Sequence, residues 1–174
     1  MRLIQLKASK EAYTSAERAW NIIGPQFLNI ADWSRGIHRS WENEKVPNNI
    51  DGAPAGGRYT FLGQYGTADE RIMHYDSKNM EITWSARLSF LPNFVSSIGH
   101  ALKVREIDNN LCLLNNIITV EANSYAALIL KKRFEKQFRD GIDKFLIDWA
   151  TYAETGEVSA AKELELNKGR FSNA

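Results

Sequence analysis

The spacing of apolar residues predicts one long amphipathic helix near the C-terminal end of the chain, over residues 125–152. Seven of them share a single stripe of a helical wheel: Leu130, Phe134, Phe138, Ile142, Phe145, Trp149 and Tyr152. On the other side, Glu135 precedes Arg139 and Asp140 precedes Lys144 by one helical turn, a spacing that favours ion pairs. Such a helix needs a broad apolar partner.

Gly141 interrupts this helix. A glycine in a helix interior costs about 1 kcal/mol relative to alanine, so its presence needs a reason. One interpretation is close contact with a strand. The other is space for a molecule bound between the helix and a sheet.

The first part of the chain predicts one strand and two short helices. Residues 2–8 alternate in polarity like a strand. Thr14 and Glu17 have the spacing of a capping box, which predicts a helix start. Gly24, followed by proline, ends that helix, and a second one is expected over residues 27–33.

From residue 37 the hydrophobic period changes to two, which is typical of strands. Six are predicted around a loop at residues 46–56: 37–45, 58–64, 69–75, 80–88, 100–107 and 111–121. Short connections favour an antiparallel meander. The sequence therefore predicts an α+β fold in which a curved seven-stranded sheet wraps on the long helix. A twisted sheet cannot touch a straight helix everywhere, and the remaining gap would suit a ligand.

Length and composition indicate one globular domain over residues 1–153, followed by a flexible tail at 154–174 with at most one weak helical turn. The net charge of +1 gives no general attraction for nucleic acid or anionic membrane. Cys112 is the only cysteine, which excludes an internal disulfide and fits a reducing compartment. Met1 leads directly into a strand and no apolar run is long enough to span a bilayer, so we expect cytoplasmic localisation without membrane insertion.

Four local motifs support a family resemblance: Gly56-Gly57-Arg58, Glu70-Arg71-Ile72, Asp76 and Ile82-Thr83-Trp84. With the element order over residues 2–152, the chain resembles the helix-grip superfamily, often grouped as SRPBCC. This superfamily includes polyketide cyclase/dehydrase-like proteins, lipid-transfer START domains and birch-pollen-allergen-like proteins. The resemblance implies a deep internal cavity for a small, largely apolar molecule. It does not imply one activity, because relatives include receptors, carriers, allergens and enzymes.

The fifth strand shows which face should be internal, since its apolar residues alternate with polar ones: Ile82, Trp84, Ala86 and Leu88. A three-residue turn at 77–79 would pair Trp84 with Glu70 and Ile82 with Ile72 on that face. A two-residue turn would place Glu70 outside. The first alternative is preferred, because the resemblance also implies that this glutamate lies on the concave side.

The other candidate positions follow from the same alternation. On the third strand Arg58, Thr60 and Leu62 share a face, and in the last hairpin His100, Leu102 and Val104 should meet Cys112, Leu114, Asn116 and Ile118. The predicted ligand-binding set is Arg58, Thr60, Leu62, Glu70, Ile72, Trp84, Ala86, Leu88, Phe94, His100, Leu102, Asn116, Phe134, Phe138, Gly141 and Ile142.

Arg58 and Glu70 are two opposite charges directed into an aromatic-lined interior, so each needs a partner. They form either a structural ion pair or a working site, in which Arg58 binds an oxygen and Glu70 accepts a hydrogen bond or acts as a base. His100 is a weak candidate base and is more often a structural residue in such a place. Asn116 must find a ligand or backbone partner. The histidines lack metal-ligand spacing and no phosphate loop is present, so no metal or cofactor is expected.

The apolar, proline-containing loop at residues 88–98 has three interpretations: a gate over the cavity, packing on the helix, or contact with a second subunit of a homodimer. Three functions follow. The leading one is binding, transport or sensing of a small hydrophobic or aromatic ligand. The rival is a cyclase, dehydratase or hydrolase using Glu70 or His100. The third is a protein-interaction module using the sheet edge or residues 90–94.

Overall fold

The computed structural model describes residues 2–88, 95–122 and 124–171, with side chains of the long helix described at 135, 136 and from 138 onward. The strands are β1 Arg2–Ala12, β2 Arg39–Glu42, β3 Gly57–Phe61, β4 Thr67–Asp76, β5 Glu81–Leu88, β6 Val95–Asp108 and β7 Leu111–Ala122. The helices are α1 Ala16–Ile23, α2 Ile30–Trp33, α3 Ser124–Thr155 and α4 Ala160–Phe171.

The strands form one antiparallel seven-stranded sheet in the order β1-β7-β6-β5-β4-β3-β2. Helix α3 packs mainly against β1 and β7, while α1 packs against β6, β7 and α3. The core lies between the sheet and these helices. This confirms the predicted α+β helix-grip architecture, with two short helices between the first two strands and a long C-terminal helix.

Strict alternation along β7 defines the inner face of the sheet, as the period of two requires. The inner residues are all buried: Cys112, Leu114, Asn116, Ile118, Val120 and Ala122. The neighbouring strand meets them as predicted, since His100 lies opposite Ile118 and Leu102 opposite Asn116. The last hairpin was therefore assigned to the correct face.

The pairing of β4 with β5 differs from the predicted register. Ile72 lies opposite Trp84, and Glu70 lies opposite Ala86 rather than opposite Trp84. Two features set the observed register. Asp76 pairs with Glu81, which leaves a four-residue turn at 77–80, and an irregularity between Ile72 and His74 then shifts the pairing by one residue. Glu70 nevertheless faces inward, because the register changed by an even number of residues.

The N-terminal helices begin and end differently from the capping-box prediction. The N-cap is Ser15, whose hydroxyl accepts a hydrogen bond from the Arg18 amide at 3.2 Å, so Thr14 lies outside the helix. The second predicted helix divides into a 3₁₀ helix at Phe27–Asn29 and the short α2. Helix propensity alone does not resolve such short turns, because packing of the apolar side chains fixes them.

Several strand boundaries also differ from prediction. β1 and β6 are longer than expected, while β2 is restricted to Arg39–Glu42. β3 ends at Phe61, and Leu62 precedes a 3₁₀ helix at Gly63–Tyr65. The assignment of Leu62 to the same strand face as Arg58 and Thr60 was therefore wrong, because the chain turns before reaching it.

Helix α3 buries the predicted stripe where its side chains are described. Ile142 and Trp149 are fully buried, and the Trp149 indole donates to the carbonyl of Ala19 in α1 at 3.1 Å. Lys144 forms the expected ion pair with Asp140 at 2.6 Å. Because both are exposed, this pair contributes only about 0.3–0.5 kcal/mol, and burial of the aromatic stripe holds the helix.

The chain after α3 forms helix α4 where a frayed, flexible tail was predicted. Its contacts with the rest of the fold are polar. Asp148 of α3 is fully buried and accepts hydrogen bonds from Arg35 at 2.6 Å and Ser159 at 2.5 Å. Lys162, only 1% exposed, donates to the Ile37 carbonyl at 2.8 Å. A helix that docks through charged residues lacks the apolar stripe on which the sequence prediction depended.

None of the helices in the described ranges is both long enough and apolar enough to cross a lipid bilayer.

Candidate functional site

Arg58 and Glu70 lie opposite each other on β3 and β4, with both side chains on the inner face. The Arg58 Nε donates to Glu70 Oε2 at 2.5 Å, and Thr60 donates a long hydrogen bond to Glu70 Oε1 at 3.4 Å. Arg58 is 1% exposed and Glu70 is 8% exposed. The predicted inward-facing ion pair is confirmed, and its burial makes it costly to break.

The glycines before Arg58 bring β3 close to its neighbours. A Cβ at Gly57 would collide with the Glu70 carbonyl oxygen, and one at Gly56 would collide with the Val46 carbonyl oxygen. Only glycine permits this approach. The Gly56-Gly57-Arg58 motif therefore serves to place the arginine directly against Glu70.

The Arg58 guanidinium is enclosed by aromatic rings. Its central carbon lies 3.8 Å from the Phe27 ring centroid and 5.3 Å from that of Trp84, and its Nη1 donates to the Phe27 carbonyl. Burial lowers the pKa of Arg58, while the charge of Glu70 opposes that shift. The carboxylate of Glu70 and the two aromatic rings compensate the buried positive charge of Arg58.

A small cavity of about 10 Å³ lies beside Arg58, between the sheet and the N-terminal helices. Trp84 and Leu102 join Arg58 on the sheet side. The opposite wall comes from the helices: Ile22, Ile23, Phe27, Ile30, Trp33 and Phe145. A volume of this size holds about one water molecule. In the described part of the interior, the gap predicted between sheet and helices is therefore largely filled.

Three of the residues that line this cavity carry a buried N–H group with no acceptor. They are the Nη2 of Arg58, the Nε1 of Trp33 and the Nε1 of Trp84, none of which has a hydrogen-bond partner among the described residues. An unsatisfied buried donor costs about 1–3 kcal/mol. The polar groups without a partner on the residues that line the cavity are therefore all hydrogen-bond donors.

His100 stacks flat on Trp84, with ring centroids 5.0 Å apart and an interplanar angle of 5°. Burial lowers the pKa of this partly buried histidine to about 4; the negative charge of Glu70 raises it and the positive charge of Arg58 lowers it further. The imidazole is therefore neutral at pH 7 and keeps a free lone pair. Its position on the inner face agrees with the sequence prediction.

Asn116 occupies the centre of β7 and is 2% exposed. Its Oδ1 has no hydrogen-bond partner among the described residues, although a ligand or backbone partner was predicted for it. It lies opposite Leu102, which borders the cavity. Asn116 therefore contributes the complementary group, an unsatisfied acceptor, to the same region of the sheet.

Gly141 was predicted to line the ligand-binding site, but it lies on the exposed side of α3. It is exposed, and a Cβ built there would meet no atom within 4 Å among its described surroundings. Neither a close strand contact nor a cavity wall explains this glycine, so both predictions for it were wrong. The sequence places a glycine within the helix, but it does not show that this position faces solvent.

The remaining predicted residues divide by burial. Ile72, Ala86 and Ile142 are buried in the core, and Leu88 and Phe138 pack partly buried at its margin. None of these five borders the small cavity. Phe94, the rest of residues 89–94 and the Phe134 side chain lie outside the described residues, so the gate prediction and these two positions remain predictions.

The sequence reasoning missed the helical wall of the cavity. Phe27 and Trp33 contact the site directly, the first through its ring and carbonyl and the second through an indole that packs on Phe145 with centroids 5.2 Å apart. The apolar residues of the two short helices were the available signal. Their spacing showed that they were buried, but not that they closed over Arg58.

No family model and no curated protein matches the sequence. Solved structures do match its fold. XoxI from Bacillus cereus is 19% identical with a TM-score of 0.67, covering 84% of this chain and 93% of its own. The ZhuI aromatase/cyclase from Streptomyces sp. R1128 is 11% identical with a TM-score of 0.68, covering 91% and 100%. A START superfamily protein from Mycobacterium smegmatis is 14% identical with a TM-score of 0.60, covering 82% and 93%.

These similarities, all below 20% identity, extend over most of the chain. Their TM-scores of 0.60 to 0.68 over these ranges show that the overall fold is shared. The chain therefore has the helix-grip fold that its sequence resembled.

Proposed function

We propose that the protein binds a small, largely apolar or aromatic molecule carrying an acceptor oxygen, such as a carboxylate, between the sheet and the helices. The oxygen would accept hydrogen bonds from Arg58, Trp33 and Trp84, and the apolar part would contact the surrounding aromatic side chains. The observation that carries this proposal is that three residues lining one cavity each carry a buried N–H group without an acceptor. An oxygen with two lone pairs and a negative charge is the group they match best.

The present cavity is too small for such a ligand, since small-molecule sites usually measure about 300–1,000 Å³ and this one measures about 10 Å³. Binding therefore requires the helical wall to move. Phe27, Ile30 and Trp33 belong to short helical turns, which move at lower cost than a sheet because few backbone hydrogen bonds hold them. In this proposal a single water fills the closed state, and the ligand oxygen replaces that water.

The fold comparisons support this class of function. ZhuI is an aromatase/cyclase, and norcoclaurine synthase from Thalictrum flavum was crystallised with dopamine and hydroxybenzaldehyde. These two proteins are only 11% and 12% identical in sequence to this chain. They support a fold suited to aromatic ligands. The acceptor oxygen proposed for the ligand of this protein is inferred separately, from the N–H groups of Arg58, Trp33 and Trp84.

Thermal unfolding with matched probes tests the proposal. We expect 2-naphthoate to raise the Tm and 2-methylnaphthalene, which lacks the carboxylate, to raise it much less. At a concentration of 100 times Kd, the stabilisation should approach about 2.7 kcal/mol. The double variant Arg58→Met/Glu70→Leu removes the charges as a pair and should lose the response to naphthoate.

The exposed Lys78 in the turn before β5 offers the matched control. Lys78→Met should keep the full naphthoate response. A response that survives in the double variant, or equal responses to the acid and the hydrocarbon, would contradict the role of Arg58. Native mass spectrometry of the purified protein would independently show whether an anionic molecule of low mass co-purifies.

An enzymatic function is the second candidate, favoured by one observation. Neutral His100 lies flat on Trp84, beside the cavity, and feels the charges of both Glu70 and Arg58. In this alternative Glu70 or His100 would transfer a proton on a bound substrate of cyclase, dehydratase or hydrolase type. Glu70→Gln should then abolish turnover of a bound molecule while the Kd changes little; a parallel loss of folding would instead indicate a structural ion pair.

A further inference from the structure

A second concavity lies on the outer face of the sheet, opposite to the site of Arg58. It is an open groove of about 530 Å³ over β1, β6 and β7. The cross-strand register places Lys7 beside Ile117 and Ile117 beside Ala101, in a row that points away from the helices. No helix packs on this face in the described part of the chain.

The floor of the groove is apolar. Ala101, Leu113 and Ile117 provide it, and the only amide between them is already engaged. The Asn115 Nδ2 donates to the carbonyls of Lys103 and Leu113, both at 3.3 Å. Two large aliphatic side chains in the middle of an uncovered sheet face are unusual, because such a face normally alternates to polar residues.

The rim of the groove carries basic residues on both sides and one acidic residue, Glu81. Lys7 borders it on β1, and Lys103 and Arg105 border it on β6. Lys103 is paired with Glu81 at 3.1 Å, whereas Lys7 and Arg105 form no ion pair with any described residue. β1 and β6 are separated by β7 alone, and Lys7 and Arg105 are offset by four residues along the sheet, so their backbones stand about 16 Å apart.

We propose that this groove binds an anionic amphiphile, a single apolar chain that ends in a carboxylate. The chain lies over Leu113 and Ile117, and the carboxylate pairs with Lys7 or Arg105. Three features carry the inference: a volume within the usual range of small-molecule sites, a floor without charge, and two cations that lack a partner.

Titration of isotope-labelled protein with dodecanoate, below its micellisation concentration, tests this site by amide chemical shifts. The expected result is a saturable shift of residues 101, 113 and 117, with dodecanol binding at least tenfold more weakly. Lys7→Glu/Arg105→Glu should raise the Kd for dodecanoate more than tenfold. Lys78→Glu/Lys136→Glu makes the same change in net charge at exposed positions away from the groove and should leave the Kd within twofold.

Other outcomes would overturn the proposal. Equal weakening in both double variants would mean attraction by net charge alone. Shifts confined to residues around Arg58 and Trp84 would place the amphiphile in the interior, and binding to vesicles of phosphatidylglycerol without binding of monomeric dodecanoate would indicate a membrane surface. Ile117→Asp supplies a further check, since it places a negative charge on the floor and should abolish the shifts while Arg58→Met/Glu70→Leu leaves them intact.

Discussion

At the scale of single residues, the energetics of the interior depend on keeping two charges together. Arg58 and Glu70 are almost completely removed from water, and the 2.5 Å contact between them compensates their desolvation. We predict that Arg58→Met alone destabilises the fold by about 3–5 kcal/mol, because it leaves a buried carboxylate without a partner. Replacing both, as Arg58→Met/Glu70→Leu, should recover most of that loss. Urea unfolding of the two single variants and the double variant measures the coupling.

Lys103 and Glu81 form the matched exposed pair, at 3.1 Å on the outer face. Breaking it by Lys103→Met should cost less than about 1 kcal/mol, since solvent screens both charges. If the Arg58 and Glu70 variants were simply additive, or no worse than Lys103→Met, the buried pair would have no special role in stability.

His100 makes the stability depend on pH in a direction that its environment fixes. Its pKa is lowered to about 4 in the folded protein from 6.5, because burial disfavours the charged ring. The unfolded chain therefore binds the extra proton first as the pH falls. We predict that acidification from pH 6.5 to 4 removes up to about 3 kcal/mol of stability through this residue. Above pH 6.5 both states are neutral and the effect vanishes.

The variant His100→Phe keeps a ring over Trp84 but cannot titrate. Comparison of its unfolding free energy with that of the wild type, at several pH values between 4 and 7, isolates the histidine from the carboxylates. The difference between the two curves should grow as the pH falls. A difference that stays constant with pH would show that His100 is protonated equally in both states.

At the scale of elements, α4 holds the segment that follows α2 in place through polar contacts. The amide of Gly36 donates to Glu165 Oε2 at 2.6 Å, and Lys162 pairs with Glu165 at 3.0 Å while it binds the Ile37 carbonyl. We predict that Glu165→Ala accelerates hydrogen exchange of residues 34–38 by about ten- to a hundredfold, because a charge-assisted hydrogen bond contributes about 1.5–3 kcal/mol. Exchange followed by mass spectrometry measures this.

Glu163 is exposed on the same helix and provides the control. Glu163→Ala removes an equal charge and should leave exchange at residues 34–38 unchanged. If both variants accelerated exchange alike, α4 would hold the segment through helix stability in general. The protection of residues 34–38 would then not depend on the hydrogen bond between Gly36 and Glu165.

The elements also show what the sequence could specify. Alternating polarity assigned β5, β6 and β7 to the correct face, because one buried face fixes the whole strand. It could not detect the extra residue after Ile72, since an irregularity leaves the alternation on each side intact. Helix α4 could not be predicted to pack on the fold, because it docks through Lys162. A buried lysine that donates to a carbonyl cannot be distinguished, from sequence alone, from a solvent-exposed one. The buried stripe of α3 could be predicted from the spacing of its aromatic residues, because burial of large apolar side chains needs no partner with specific geometry.

At the scale of the whole molecule, the fold combines a sheet with continuous pairing and a helical wall made of short pieces. Seven strands pair without interruption from β1 to β2. The wall opposite Arg58 is built from α1, the 3₁₀ turn at Phe27–Asn29 and α2. The interior site was predictable as a pair of charges on the sheet. Its closure was not, because it depends on how three short elements pack against each other.

That asymmetry gives a kinetic prediction for the proposed ligand site. A cavity of about 10 Å³ cannot admit naphthoate, so the wall must open before the ligand enters. Observed association rates followed by tryptophan fluorescence, with Trp33 and Trp84 at the cavity, should therefore reach a plateau as naphthoate increases, because the plateau is the opening rate. Weakening the wall by Phe27→Leu should raise that plateau while Phe61→Leu, on the outer face, leaves it unchanged. Rates that rise linearly with concentration to the collisional range would mean that the closed cavity is not the resting state of the protein.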